Sequence, residues 1–147
     1  MLCLLVVGVV SASSSAVSSE TNSVKTKMLR LINRERDRRG ARKLSLDETL
    51  NKVAKSQASY MAGVGRLTHQ GRRGRWPWTR AKLAGYHGEA NENVGYSEGD
   101  ASASGIHDAF MKSSGHTRNL IDPQWRKVGI CRVTSRRGTY WAVLFGA

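Results

Sequence analysis

The sequence predicts a three-layer α-β-α sandwich, with helices on both faces of a central, largely antiparallel sheet. Three observations predict it. Two stretches in the first half carry apolar residues at helical spacing: Val24, Met28, Leu31 and Ile32 in one, Leu50, Val53, Ala54, Ala58 and Met61 in the other. Near the C-terminus, "WRKVGICRVTS" and "TYWAVLFG" are β-rich, and Arg136-Arg137-Gly138 between them reads as a hairpin with Gly supplying the turn. The second of those runs is apolar on both faces, with Trp141, Val143 and Phe145 on one and Tyr140, Ala142 and Leu144 on the other. A strand apolar on both sides needs cover on both sides, so helices must lie above and below it.

The elements follow in order. "MLCLLVVGVVSASSSAVSS" opens the chain as an apolar run followed by small residues. The run ends near Val10, too short for a hydrocarbon core of roughly 30 Å. Residues 1–20 are therefore expected to be a secretory signal-like segment and 21–147 the domain, which makes the protein secreted. Ala12 and Ala16 are candidate cleavage positions, although no Lys or Arg precedes Lys25. Cleavage at either position removes no charge, because the first charged residue is Glu20, but it removes Cys3 and leaves Cys131 alone. No intramolecular disulfide then staples the domain, and a chain of 147 residues can rely on its core instead.

The first helix is expected from Thr21 to about Arg39, closed by Gly40. "SLDE", Ser45 to Glu48, reads as a capping box that opens the second helix, with Gly63 and Gly65 closing it. Residues 66–78 form a basic loop with His69, Trp76, Pro77 and Trp78, and a short helix follows from Thr79 to Ala84. "NENVGYS" is extended. "SASGIHDAFMKS" is helical, with Ile106, Phe110 and Ser113 on one face, and "SSGHTRNLID" reads as a tight turn carrying His116.

With 24 Lys and Arg against 11 Asp and Glu, the formal charge is +13, which favours contact with polyanions or simply solubilises a face. The cations concentrate in "RERDRRGARK", Arg34 to Lys43, and "GRRGRWPWTRAK", Gly71 to Lys82. Several catalytic machines are excluded: there is no Gly-x-Ser-x-Gly elbow, no His-Glu-x-x-His helix and no phosphate-cradling loop ending in Gly-Lys-Ser/Thr. Cys131, mid-strand beside Ile130, is expected to be an inert half-buried thiol. The remaining candidates are His69, His87, His107 and His116, with Glu89, Glu92 and Glu98. Histidine and carboxylate suit zinc with an open position, while single histidines near turns also hydrogen-bond the backbone; spacing alone leaves both readings open.

The ordered blocks "LINRERDRRGARKLSLDETLNKVAKSQASYM", "LTHQG", "NENVGY", "FMKSSGHTRNLID", "VGI" and "YWAVLFG" resemble the bacterial branch of the CAP superfamily, the SCP-like domains that include plant pathogenesis-related 1 proteins. The resemblance covers about Val24 to Gly146. It implies an α-β-α sandwich whose cleft carries two histidines and one or two glutamates able to hold a divalent metal, zinc foremost. Carried over, His69 matches the first histidine, Glu92 the glutamate and His116 the second histidine. Asn119 and Leu120 match the Asn-Ile pair that follows. Asn91 stands where the family has Gly, Phe110 where Trp is common and Ser114 where Pro is usual. A second acid is not evident: Ser113 lies near its place and Asp108 is the nearest upstream carboxylate.

The resemblance and the charge together lead to an expected function. It is a secreted, monomeric binding module for a lipid, a cell wall polymer or another anionic surface, with a metal-holding cleft of His69, Glu92 and His116. The loop Arg66–Lys82, with Trp76 and Trp78, is the expected contact surface. A metal-assisted hydrolase using the same cleft, with Glu92 as base, is the alternative, and non-specific polyanion binding the second. No sequence-specific recognition of nucleic acid is expected.

Overall fold

A computed structural model describes residues 12–99 and 102–147. The apolar run expected as a signal falls on residues 1–11, outside the described residues. Five helices and four strands follow one another as α1 (Ala12–Arg38), β1 (Ser45–Leu46), α2 (Glu48–Val64), α3 (Pro77–Leu83), β2 (Ala90–Ser97), α4 (Ala103–Met111), α5 (Ser114–Ile121), β3 (Lys127–Ser135) and β4 (Gly138–Gly146) among the described residues. The strands form one sheet of order β1-β3-β4-β2. β4 lies inside it, antiparallel to both β2 and β3, and only the two-residue β1 pairs parallel.

Every residue of β4 is buried, as a strand apolar on both faces requires. Trp141, Val143 and Phe145 pack with Met28 and Ile32 of α1, Ile106 and Phe110 of α4, and Leu120 of α5. Tyr140, Ala142 and Leu144 pack on the other side with Leu50, Val53, Ala54, Ala58 and Met61 of α2 and Ala81 of α3. The three-layer sandwich is therefore built on that one strand. Gly129 of β3 lets α2 lie directly on the sheet, since a Cβ there would overlap the backbone of Leu50 and Asn51. Beyond the short β1, the backbone N–H of Ile130 finds its acceptor in the Asn51 side chain at 3.0 Å.

Several boundaries differ from the sequence reading. α1 already spans Ala12, the first described residue, rather than beginning near Thr21, and no Gly or Pro interrupts residues 12–39. Its end is as expected: Gly40 is left-handed at φ +68°, with its N–H on the Asp37 carbonyl and that of Ala41 on the Arg36 carbonyl. Ser45 does not cap α2. Its backbone is taken by the sheet through the Arg126 carbonyl, and Asp47 caps instead, accepting from the Leu50 N–H at 2.9 Å. Gly63 lies inside α2, and Gly65 closes it at φ +67°. α3 begins two positions early, with Pro77 in the first turn where its missing N–H costs nothing. The hairpin turn is Arg136-Arg137. Gly138 is the first residue of β4 at φ +123°, where a Cβ would also come within 2.6 Å of the Ser97 carbonyl.

The largest correction concerns "SSGHTRNLID". It is not a turn but the helix α5, with Ser113 at its N-cap position and the Thr117 N–H on the Ser113 carbonyl at 2.8 Å. Thr117 also donates its hydroxyl to the Phe110 and Met111 carbonyls, fastening α5 to the end of α4. The basic run Arg34–Lys43 is not wholly a solvated face either. Arg36 continues the inward stripe of Met28 and Ile32 and is fully buried. Its guanidinium donates to the carbonyls of Arg42, Leu120, Asp122 and Trp125, tying the end of α1 to the end of α5. No helix among the described residues is long and apolar enough to cross a membrane.

Candidate functional site

The cleft is assembled from four pieces. α2 closes at Gly65, and the chain from Arg66 to Trp76 swings His69 across the sheet edge. Gln57 of α2 holds that loop by donating to the Thr68 carbonyl at 2.6 Å. α3 supplies Arg80 on its inner side, next to the buried Ala81. β2, the strand at the sheet's edge, presents Asn91, Glu92 and Asn93, and α5 presents His116 in its first turn. His69, Glu92 and His116 line one pocket of about 300 Å³ together with Trp76, Trp78 and Asn119.

Glu92 is the centre of the polar floor, with no solvent exposure of its side chain. One carboxylate oxygen accepts from Arg80 Nη2 at 2.8 Å, and the other lies 3.1 Å from His69 Nδ1. Because a carboxylate only accepts, Nδ1 carries the hydrogen and Nε2 is the remaining ring nitrogen. Arg80 also donates to the carbonyls of His69 at 3.0 Å and Arg75 at 3.3 Å, so one guanidinium fixes both the acid and the loop that carries the imidazole. His116 packs against Phe110 with ring centres 5.0 Å apart and planes tilted by 50°. Burial, and then the neighbouring His69, lower its pKa below the ordinary histidine value, so its neutral form is favoured.

An amide network locks β2 to α5. Asn93 donates to the His116 carbonyl at 3.0 Å, and Asn119 donates to Asn93 Oδ1 at 2.9 Å and to the Glu92 carbonyl at 3.3 Å. Asn91 donates to Asn119 Oδ1 at 3.1 Å and accepts from the Glu92 N–H at 2.8 Å. At the mouth, Trp76 and Trp78 stack with ring centres 5.5 Å apart and planes 4° from parallel. They are 43% and 53% exposed, so neither is buried under the loop.

The other candidates lie elsewhere. His87 is exposed in the turn before β2. His107 is buried beneath α1, with neither ring nitrogen hydrogen-bonded, and burial lowers its pKa despite Asp108 and Glu35 nearby. Asp108 faces His107 at 3.7 Å and does not line the cleft; Ser113 lines it in place of a second acid. Cys131 is half-buried in β3, a free thiol whose pKa is raised by burial. The spacing of the cations alone misses Arg80, grouping it with a solvated loop. The helix start at Pro77 is its signal, because it turns Arg80 and Ala81 inward together.

The donor set does not fit a three-ligand metal ion as arranged. Glu92 sits against a guanidinium, which repels a cation and already occupies one of its oxygens, and the described residues contain no group of three His, Cys, Asp or Glu side chains placed to hold a metal.

An α-β-α sandwich with two histidines and a glutamate converging at the edge of its sheet is the architecture of an SCP-like domain. The chain belongs to the CAP family, the cysteine-rich secretory protein family, whose model matches residues 29–145. It is similar to "Uncharacterized protein YkwD" of Bacillus subtilis, 28% identical over 133 residues, which are 90% of this chain and 50% of that protein. The chain thus spans about half the length of the curated relative it matches. Among solved structures, an outer surface protein from Borrelia burgdorferi shares the fold with a TM-score of 0.77 and 23% identity, over 84% of this chain and 92% of that one. An extracellular SCP-domain protein from Bacillus anthracis does so with a TM-score of 0.79 and 17% identity, over 95% and 45%.

Proposed function

We propose that the chain is an extracellular binding module that uses the cleft between α3, β2 and α5 to hold a ligand of the cell surface, a lipid or a wall polymer. The observation that carries this reading is the mouth of the cleft: two stacked, solvent-exposed indoles beside a floor of fixed polar groups. Exposed aromatic surface of that kind is costly to leave in water and marks a recognition site. Extracellular placement is supported by the outer-surface and extracellular relatives and by the signal-like start of the sequence. A metal-assisted hydrolase needs a carboxylate free to hold an ion or accept a proton, and Glu92 is engaged by both Arg80 and His69.

The exposed rim of the Arg66–Lys82 loop, Arg72 and Arg73 above all, adds long-range attraction to anionic envelopes. Arg80 takes no part in it, being turned inward to Glu92. The test is sedimentation of the protein with isolated bacterial envelopes, wall and membrane fractions separately. Binding to either fraction that Trp76→Ala with Trp78→Ala abolishes supports the module. Equal sedimentation of wild type and variant shows that the cleft is not the binding site.

A further inference from the structure

The cleft does not end at Trp78. A second hollow of about 750 Å³ adjoins it, and Trp78, Asn91, Gly115 and Asn119 line both. The second hollow continues past Arg118 and Gln124 to Trp125. The two together make one open-sided trough along α5 and past its C-terminal end, with Trp78 shared by both parts. Each hollow falls within the size range of small-ligand sites, about 300–1,000 Å³. Their continuity fits a ligand that is long rather than compact.

The chemistry of the walls narrows the occupant. Asn91 and Asn119 face both hollows with their amides already oriented by the network that joins β2 to α5. The network leaves Asn91 one amide N–H and one oxygen lone pair, and leaves Asn119, whose two N–H groups are both engaged, an oxygen lone pair; together they offer the adjacent donor and acceptors that vicinal hydroxyls require. The orientation is fixed before the ligand arrives, so little entropy is lost on binding. Charges along the second hollow are mixed, Arg118 against Glu89 and Asp122, so the trough itself has no preference for a polyanion. Its exposed apolar surface is chiefly the Trp76–Trp78 stack, two flat rings 4° from parallel, with Pro77, Ala90 and Trp125 beside them, rather than a channel that would enclose an acyl chain. The indole N–H of Trp125, a residue almost wholly buried at the far end, has no hydrogen-bond partner.

On these grounds we infer that the trough binds an extended chain of uncharged pyranose rings, with ring faces on Trp76 and Trp78 and hydroxyls on Asn91, Asn119 and Gln124. This inference rests on the binding-module reading of the same cleft and names its ligand class. The measurement is calorimetric and fluorescence titration of the full chain with chitohexaose and cellohexaose, against their disaccharides and against phosphatidylglycerol vesicles. A hexasaccharide should bind more tightly than its disaccharide, blue-shift the tryptophan emission, and keep its affinity in high salt. Trp78→Ala, at an exposed side chain, should weaken binding by about tenfold with thermal stability unchanged. Gln124→Ala, remote from the histidines, should weaken the hexasaccharide and leave the disaccharide unaffected.

Several results overturn the inference. If neither hexasaccharide binds at millimolar concentration but the vesicles bind in a way that Trp78→Ala abolishes, the ligand is a lipid surface and only the binding-module reading survives. If both hexasaccharides bind wild type and Trp78→Ala alike, the trough is not the glycan site. If neither sugar nor vesicle nor envelope responds to Trp78→Ala, both readings fall.

Discussion

Replacing Arg80 with Met tests how the site is held. The side chain keeps an unbranched apolar stem and loses the guanidinium and its charge. Wild-type Arg80 meets the fully buried carboxylate of Glu92 at 2.8 Å and the carbonyls of His69 and Arg75. Breaking a buried pair by removing one partner costs about 3–5 kcal/mol, because the other charge is left uncompensated. His69 Nδ1 still donates to Glu92, which places the loss at the lower end. Arg80 Nη1 is itself buried without a partner, and removing it returns a part, of the order of 1 kcal/mol. The expected net loss is about 3 kcal/mol, measured by urea unfolding followed by circular dichroism. A double-mutant cycle isolates the pair: Glu92→Gln alone strands the guanidinium, whereas Arg80→Met with Glu92→Gln strands neither. The double variant should lose clearly less than the sum of the singles, with a coupling of about 2 kcal/mol or more. Additive losses, or an Arg80→Met loss below about 1 kcal/mol, would show that the ion pair is not what organises the cleft.

The pH dependence follows from His107 and His116, whose pKa values are both lowered by burial. As pH falls below about 6.5 the unfolded chain takes up protons that the folded chain resists, so stability falls from there towards acid and is full above it. Thermal melts between about pH 7.5 and about pH 5 should show that slope, and His107→Leu, which removes two unpartnered ring nitrogens, should flatten it and raise stability by about 1 kcal/mol at neutral pH. Gly129→Ala should cost about 3 kcal/mol or more, because its methyl meets helix backbone rather than a movable side chain; an unchanged melting temperature would show that α2 does not rest on the strand. Cys131 should label slowly with a thiol reagent in the folded state, and fast labelling would contradict its burial. Zinc should give no saturable heat on titration to wild type; a stoichiometric heat lost in His69→Ala would show that the ion displaces Arg80 from Glu92.

What the sequence revealed and what it hid have distinct physical causes. The sandwich was legible because β4 is apolar at consecutive positions, a pattern that only two-sided cover satisfies, and because the α2 stripe repeats without interruption. α5 was not legible, since Ser113, Ser114 and Gly115 form a cluster typical of turns and the helix they open has only eight residues. Only its long-range partners, Asn93 and the Arg36 guanidinium, decide its state. Ser45 and Asp47 are both good caps, and the parallel pairing of Ser45 with Lys127, remote in sequence, chose between them. His69, Glu92 and His116 were found through resemblance, whereas the partners of Glu92 were not. Arg80 looked like one more cation in a basic loop until the start of α3 set its direction.

Arg36 and Arg80 show a common device. Both belong to runs of basic residues that read as solvent-facing charge, and both are used inside. Arg36 places four of its five N–H donors on carbonyls from two segments, the loop after α1 and residues 120–125 at the end of α5. Arg80 joins an acid on β2 to two carbonyls of the loop before α3. The cysteine-rich secretory family to which the chain belongs is named for its cysteines, yet Cys131 is the sole cysteine among the described residues and is unpaired. The cross-links between distant segments that disulfides supply elsewhere are made here by guanidinium groups over a core covered on both sides. Unlike a disulfide, such a link is satisfied only when its acceptors are already in place, so it stabilises one arrangement of the loop around α3 and of α5 and penalises others. The cleft lies between the two linked regions. Its acid and the loop that carries His69 are therefore set by Arg80, and the end of α5 by Arg36, so a ligand meets a polar floor arranged before its arrival.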